Sequence, residues 1–91
     1  MVDIDSISKK WSEQILLRLN DGPKRFNQLM SQIKQSDKGI SSRTLAIRLK
    51  KLEEERLIDR EILDERPPTT IYKITEKGKK ALDLVIKLNR L

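Results

Sequence analysis

The segment 38–52 is predicted to contain a turn at Gly39 and then an amphipathic helix that begins at Ser41 and whose two faces differ in chemistry. Leu45, Leu49 and Leu52 recur at i, i+4 and i+7, which places them in one stripe along a helix. Ser41 is a suitable N-cap, because its oxygen can accept a hydrogen bond from a free N–H of the first turn. The segment contains five basic residues and no acidic one. A leucine stripe backed by a basic, hydroxyl-bearing face suits a helix that lies in a DNA groove.

The net charge of +6 is concentrated around this helix. Residues 22–51 contain eight basic residues and one acid, a local charge of +7. The other 61 residues contain twelve basic and thirteen acidic residues, a charge of −1. This asymmetry is typical of a surface that faces a polyanion.

Composition excludes several other classes of protein. The 91 residues include no Cys and no His, so thiol chemistry, disulfides and metal sites built on thiolate or imidazole ligands are excluded. With three glycines there is no Gly-rich phosphate loop, and no nucleophile or base is visible, so an enzyme is not expected. No apolar run approaches the ~20 residues that span a bilayer, and the acidic start does not resemble a signal peptide. We expect a cytoplasmic protein without metal or cofactor, associated with the nucleoid when it is bound to DNA.

A second, shorter helix precedes the basic one. Four apolar residues at helical spacing predict it: Phe26, Leu29, Met30 and Ile33. Asn27 is the predicted N-cap, and a loop containing Gly39 joins the two helices, so a helix-turn-helix is predicted over about residues 26–55. The acids at 53–55 are either solvated or held by Arg56. Consecutive helical residues point about 100° apart, so these carboxylates cannot converge on one substrate atom.

After this helix the spacing of apolar residues changes to alternation. Residues 57–63 and 70–75 are predicted to be strands, while Pro67 and Pro68 between them forbid a helix. The result is a hairpin, or wing, over about residues 57–75. Arg66 at its tip either reaches a phosphate or the minor groove, or is a solvated charge beside two acids.

Two apolar helices, at about residues 7–20 and 76–91, are predicted on either side. The first carries a stripe at positions 7, 11, 15 and 19, with Leu16 and Leu17 beside it. The last is capped by Thr75 and carries two stripes, one at positions 81, 84, 88 and 91 and the other at positions 82, 85 and 86. This apolar surface exceeds what one small domain covers, so a homodimer interface is expected. Deep burial accounts for the first helix equally well. The predicted interface residues are Trp11, Ile15, Leu84, Leu88 and Leu91.

Several motifs resemble those of HxlR-type winged helix-turn-helix transcription regulators, relatives of the MarR-like proteins. The motifs are Lys10–Trp11, Ile15–Leu16, Asp-Gly-Pro-Lys-Arg-Phe-Asn-Gln-Leu at 21–29, Gly39–Ile40–Ser41, Thr44–Leu45, Arg48–Leu49, Leu52–Glu53, Leu57–Ile58 and Tyr-Lys-Ile-Thr-Glu-Lys-Gly at 72–78. The resemblance covers about residues 9–86. It implies a dimeric DNA-binding regulator whose first and last helices build the dimer. It also implies a short first strand near residues 24–26 that completes a three-stranded sheet.

The chain departs from the family pattern at three places. Ser42 replaces a common Pro after the capping Ser, and the loop at 34–38 is longer than usual. Many members sense oxidants or electrophiles through a cysteine near the N-terminus. This chain has no cysteine, so that mechanism does not carry over.

The predicted fold is α+β, mostly α: one winged helix-turn-helix domain over residues 1–91, with a small antiparallel sheet as the wing and a C-terminal dimerisation helix. The predicted function is a sequence-specific regulator, a repressor, that binds double-stranded DNA as a homodimer on an inverted repeat. No small-molecule effector can be identified. The alternative is a winged-helix module for protein–protein contact in a transcription or assembly complex, although such a module has little reason to exclude acids from residues 38–51.

The predicted DNA contacts fall into two groups. Base edges are assigned to Ser41, Ser42, Arg43, Thr44 and Ile47. Phosphates are assigned to Lys24, Arg25, Lys34, Lys38, Lys50 and Lys51. Arg48 lies beside the leucine stripe and makes either a structural ion pair or a DNA contact.

Overall fold

The computed structural model describes the backbone of residues 4–89 and the side chains of residues 11–88. Within this part, the chain forms four helices and three strands. In order they are α1 (Ile4–Asn20), β1 (Lys24–Arg25), α2 (Phe26–Lys34), α3 (Ser42–Glu54), β2 (Ile58–Leu63), β3 (Thr69–Ile74) and α4 (Glu76–Asn89). The prediction of a mostly α winged helix-turn-helix fold is confirmed. None of the described helices is long and apolar enough to cross a membrane.

The three strands form one antiparallel sheet in the order β1-β3-β2. The short β1 confirms the strand implied by the family resemblance. Helix α2 starts directly after it, so the prediction that Asn27 caps α2 is wrong. Arg25 is the extended residue before the helix, and its N–H donates to Gln28 Oε1 at 2.8 Å. The glutamine side chain therefore satisfies the end of the helix without an Asn cap.

The hydrophobic core lies between the helices and the inner face of the sheet. The leucine stripe of α3 is fully buried, with Leu45, Leu49 and Leu52 each 0–1% exposed. The other core residues are Ile15, Leu16, Leu19, Leu29, Ile33, Ile40, Ile58 and Leu82. Helix α1 packs against α2, α4 and β3, and so forms the centre of the domain. Burial of the stripe on one side leaves the basic side of α3 facing solvent.

Helix α3 ends in a turn that glycine usually makes. Arg56 has a φ of 64°, in the left-handed region. Its N–H donates to the Glu53 carbonyl at 3.0 Å, and the Leu57 N–H donates to the Leu52 carbonyl at 3.0 Å. These are the two hydrogen bonds of a Schellman motif. Of the three acids here, Glu53 pairs with Arg60 of β2, at 3.5 Å, while Glu54 and Glu55 are exposed.

The start of α4 is attached to this turn. The Thr75 hydroxyl accepts from the Gly78 N–H at 3.0 Å, which confirms Thr75 as the cap of α4. The same hydroxyl lies 2.7 Å from the Arg56 carbonyl oxygen and 3.1 Å from that of Leu57. A Cβ at Gly78 would collide with the Leu57 carbonyl oxygen. Glycine is therefore required for this close approach between the end of α3 and the start of α4.

Candidate nucleic-acid interface

The outer face of α3 is a solvent-exposed surface of basic and small polar side chains. Arg43 and Lys50 are exposed on the side away from the buried leucines, while Ser42 and Lys51 are exposed on the two flanks of the helix. Ile47 lies among them and is 60% exposed. An isoleucine in that position can contact a thymine methyl group, while Arg43 in the first turn can reach a guanine edge. Both side chains are accessible from solvent, and their contacts with bases stay a prediction.

Ser41 and Thr44 differ from the other predicted base-reading residues, because they bond to each other. The Ser41 oxygen accepts from the Thr44 N–H at 3.1 Å, which confirms Ser41 as the N-cap of α3. The Ser41 hydroxyl donates to Thr44 Oγ1 at 2.9 Å. Ser41 thus uses both its donor and an acceptor site locally, whereas the hydroxyl proton of Thr44 remains available to a base.

The six predicted phosphate-binding residues have different surroundings. Lys34, Lys38, Lys50 and Lys51 are exposed on α2, α3 and the loop between them. Lys24 is half-buried, with Nζ 3.5 Å from the Gly22 carbonyl oxygen. Arg25 lies 3.8 Å from Glu65 in an exposed ion pair that joins β1 to the wing. The four exposed lysines are therefore the more available to DNA.

Arg48 is engaged inside the protein. Its guanidinium lies 5.5 Å from the centroid of the Trp11 ring and 3.8 Å from the Asp37 carboxylate. These contacts join α1, the loop before α3, and α3 itself. Of the two roles left open by the sequence, the structural ion pair is the observed one, reinforced by a cation–π contact.

The wing tip presents Arg66 to solvent between β2 and β3. Of the two acids that precede it, Glu65 is paired with Arg25. The charge of Arg66 is therefore less compensated than the sequence alone indicates. A contact between Arg66 and DNA remains a prediction.

A groove that the sequence did not predict separates α3 from the wing. It has a volume of about 280 Å³ and is lined by Ala46, Lys50, Glu53, Arg60 and Tyr72. Burial raises the pKa of the Tyr72 phenol above its ordinary value, partly offset by the positive charge of Arg60. Arg60 and Tyr72 are direct partners across β2 and β3, so their side chains share one face of the sheet. The alternating pattern of Ile58 and Ile62 predicts that Arg60 lies on the same face of β2 as these two residues. It does not predict that α3 packs opposite that face, so the groove could not be found from the sequence.

The predicted dimer-forming residues divide between core and surface. Ile15 is 1% exposed, so its assignment to a dimer interface is wrong: it packs inside its own domain. Trp11 is half-buried against the core. Leu84 and Leu88, one helical turn apart on α4, are 61% and 59% exposed, and Leu17 of α1 is 41% exposed. Leu91 lies outside the described residues. Of the two stripes on α4, the one with Leu82 is covered and the one with Leu84 and Leu88 is open.

Two helices of a helix-turn-helix followed by a β-hairpin define a winged helix-turn-helix protein. A family model for HxlR-like helix-turn-helix proteins matches residues 6–91. This chain belongs to that family, which confirms the resemblance found in its motifs.

Individual relatives agree with this membership. The HTH-type transcriptional regulator YodB of Bacillus subtilis is 42% identical over 72 residues, which cover 79% of this chain and 61% of YodB. An HTH-type transcriptional regulator of Methanothermobacter thermautotrophicus is 36% identical over 84 residues, 92% of this chain and 61% of that protein. The crystal structure of diamide-treated YodB from B. subtilis has a TM-score of 0.77 at 30% identity, and the match covers 99% of this chain and 90% of that one. This chain thus spans about three fifths of the length of these two curated relatives.

Proposed function

We propose that this protein is a transcriptional regulator that binds double-stranded DNA in a sequence-specific manner, with α3 in the major groove. The observation that carries the proposal is the outer face of α3, which is basic and exposed along its length while its inner face is fully buried. Residues 38–51 contain no acid. A fixed helix with this charge distribution is complementary to phosphates and base edges together.

Within α3, base readout is assigned to the first two turns and phosphate binding to the later ones. Ser42 and Arg43 are exposed in the first turn, Thr44 is half-buried beside them, and Ile47 is exposed in the next turn. Lys50 and Lys51 follow one to two turns later and supply sequence-independent attraction. Lys34 and Lys38 extend the positive surface, with Lys24 and Arg25 at its flank.

We further propose that the protein acts as a homodimer on an inverted repeat and represses by occupying its operator. Leu84 and Leu88 form an exposed apolar stripe on α4. A second copy of this chain, related by a two-fold axis, would bury this stripe against its own identical stripe. Two-fold symmetry then sets the two copies of α3 about 34 Å apart, one turn of DNA. A bound dimer covers the sites that the transcription machinery would need.

Selection of bound fragments from random double-stranded DNA tests sequence specificity, and recovery of an inverted repeat is expected. Titrations over a range of salt then separate the roles of individual residues. Lys50→Ala and Lys51→Ala should weaken binding to all DNA and flatten the slope of log K against log salt. Arg43→Ala should lose discrimination by about 1–3 kcal/mol. Lys80→Ala, an exposed lysine of α4, is the matched control and should change neither quantity.

Two results would contradict the DNA-binding proposal. A shallow salt dependence of the parent protein would favour a protein–protein module instead. Equal losses on selected and random DNA for Arg43→Ala would remove that residue from base readout.

Light scattering tests the dimer. Leu88→Asp places a carboxylate in the open stripe and should give a monomer with near non-specific DNA affinity, since half of the groove contacts are lost. Ile62→Asp is the control for the molar mass measured by light scattering. Ile62 has a similar exposure, at 65%, but lies on the wing, so this variant should remain a dimer. A monomeric parent protein, or a Leu88→Asp variant that is still dimeric, would refute the arrangement.

A further inference from the structure

The groove between α3 and the wing brings together three donors from separate parts of the chain. Lys50 comes from α3, Arg60 from β2 and Tyr72 from β3. Glu53 lies at the same place and pairs with Arg60 Nε at 3.5 Å. Such a cluster depends on the packing of the sheet against the helix, because 10 or more residues separate each donor from the next.

Strand register explains why Arg60 points into this groove. Ile58 pairs with Ile74, and Arg60 pairs with Tyr72 two residues further along the strands. Side chains two residues apart lie on the same face, and Ile58 is fully buried against the core. Arg60 and Tyr72 therefore continue the inner face of the sheet beyond the core, where it faces the exposed part of α3.

We propose that this groove binds one phosphate of the DNA backbone, with Arg60 and Tyr72 as donors beside Lys50. The proposal rests on the proposed DNA-binding function, and adds two contacting residues outside the helix-turn-helix. Arg60 pairs with Glu53 through Nε, and 53% of its side chain is still exposed. Its terminal amines are thus able to donate to a phosphate, whose geometry a guanidinium matches in a bidentate fashion.

Tyr72 contributes a neutral donor. Burial holds the pKa of its phenol above the ordinary value, so the hydroxyl keeps its proton at neutral pH. Glu53 has the positioning role, because its carboxylate holds the guanidinium across the groove. The ion pair with Arg60 also compensates the negative charge of Glu53, which would otherwise repel a phosphate.

The lining of the groove favours a backbone phosphate over a small-molecule effector. Sites for drug-sized ligands are lined mainly by apolar side chains. This groove is lined by three charged side chains, one phenol and one alanine. It also borders the same lysine that the proposed DNA-binding surface uses. The shared chemistry is a phosphate group, and its two sources, DNA and a free anion, are separable by experiment.

Salt titration of DNA binding is the test. Loss of one phosphate contact lowers the slope of log K against log salt by about 0.9, which corresponds to about a fivefold loss of affinity near 0.15 M salt. We expect this result for Arg60→Ala, equally on selected and random DNA. Arg60→Lys should keep the slope, and Tyr72→Phe should lose affinity at an unchanged slope, because a neutral donor releases no counterion.

Lys73→Ala is the matched control. Lys73 lies next to Tyr72 on β3, on the opposite face of the sheet, and pairs with Glu61 at 2.9 Å. Its removal also deletes one positive charge from the sheet but should leave the slope unchanged. If Arg60→Ala fails to fold, as judged by circular dichroism, the comparison of Arg60→Lys and Tyr72→Phe with the parent decides, since affinity lost by Tyr72→Phe at an unchanged slope still requires the groove.

The outcomes distinguish this inference from the proposed function. A parent protein without a steep salt slope would refute DNA binding itself. If Arg60→Ala keeps the steep salt slope of the parent protein, or if Tyr72→Phe binds DNA with unchanged affinity, the groove does not bind a phosphate, although the proposed DNA binding still stands. Calorimetry with inorganic phosphate tests the free anion as the ligand. If the parent protein binds phosphate and Arg60→Ala does not, while both bind DNA with the same affinity, the groove is a site for a free anion instead.

Discussion

The two ends of α3 are held in different ways. At the N-terminal end, Ser41 caps the helix through Thr44, three residues away, and Ser41, Ser42 and Arg43 are exposed. At the C-terminal end, the turn at Arg56 and Leu57 receives the hydroxyl of Thr75, and the Glu55 carbonyl receives Lys77 Nζ at 3.0 Å. The N-terminal cap is made by neighbours in sequence, whereas the C-terminal turn is also bonded to residues about 20 positions later.

The two ends of α3 therefore have different roles: the N-terminal half is proposed to recognise DNA, and the C-terminal end attaches the helix to the rest of the domain. The exposed side chains of the N-terminal half, such as Arg43 and Ile47, can change without disturbing the core, so they are free to suit an operator. The C-terminal end joins the helix to α4, the proposed dimer helix, so a shift in either helix would be passed to the other. We therefore expect loss of the long-range contacts at the C-terminal end to affect stability more than loss of the cap at the N-terminal end.

The largest effect is expected from Gly78→Ala. The added Cβ would meet the Leu57 carbonyl oxygen and lie 2.8 Å from Ile74 Cγ1, so α3 and α4 must separate. Overpacking of this kind costs about 1–3 kcal/mol or more, and the backbone contact places this substitution at the upper end. The measurement is the midpoint of urea denaturation. Gly39→Ala is the control, since a Cβ there comes no closer than 3.9 Å to another group. Equal stability of the two variants would mean that the contact at Gly78 is not tight.

A smaller loss is expected from Thr75→Val, which keeps the shape of the side chain but removes its hydroxyl. The hydroxyl caps α4 and also bonds to the end of α3, so its removal should cost about 1–2 kcal/mol in the free energy of unfolding. Thr75→Ser retains the hydroxyl and should recover most of that loss. Thermal unfolding of both variants against the parent provides the comparison. If Thr75→Ser is as unstable as Thr75→Val, packing of the methyl group matters more than the hydrogen bonds.

Ser41→Ala tests the local end of α3. Loss of an N-cap hydroxyl costs about 1 kcal/mol, and here no long-range contact is lost with it. Ser42→Ala is the matched control: it removes an exposed hydroxyl one residue later and should leave the unfolding midpoint in place. A loss for Ser41→Ala that exceeds that for Thr75→Val would reverse the ranking of the two ends.

Arg56→Gly is expected to change stability least, and in the opposite direction. A non-glycine residue in the left-handed region is strained by about 1 kcal/mol, which glycine relieves at the cost of greater freedom in the unfolded chain. The net result should be a small stabilisation of a few tenths of a kcal/mol. Chemical denaturation measures it, with Arg56→Ala as the control that keeps the strain. A marked destabilisation by Arg56→Gly would show that the arginine side chain itself supports the turn.

Features that depend on neighbouring residues could be predicted from the amino-acid sequence. Helical spacing identified the buried stripe of α3, and the caps at Ser41 and Thr75 followed from hydroxyls placed before apolar runs. Two prolines between alternating segments predicted the hairpin. Each of these is decided within about one turn or one strand, where periodicity and hydrogen-bonding chemistry are sufficient.

Two kinds of feature could not be predicted without the packed fold. They are the element that covers each apolar face and the ion-pair partner of each charged side chain. Periodicity placed Ile15 on an apolar face of α1, but only packing showed that this face is covered within the domain while Leu84 and Leu88 stay open. Likewise, the sequence showed a basic residue at 60 but not the helix opposite it. Spacing along one element defines the direction of a side chain, whereas its neighbour is set by the burial of the whole core, to which every element contributes.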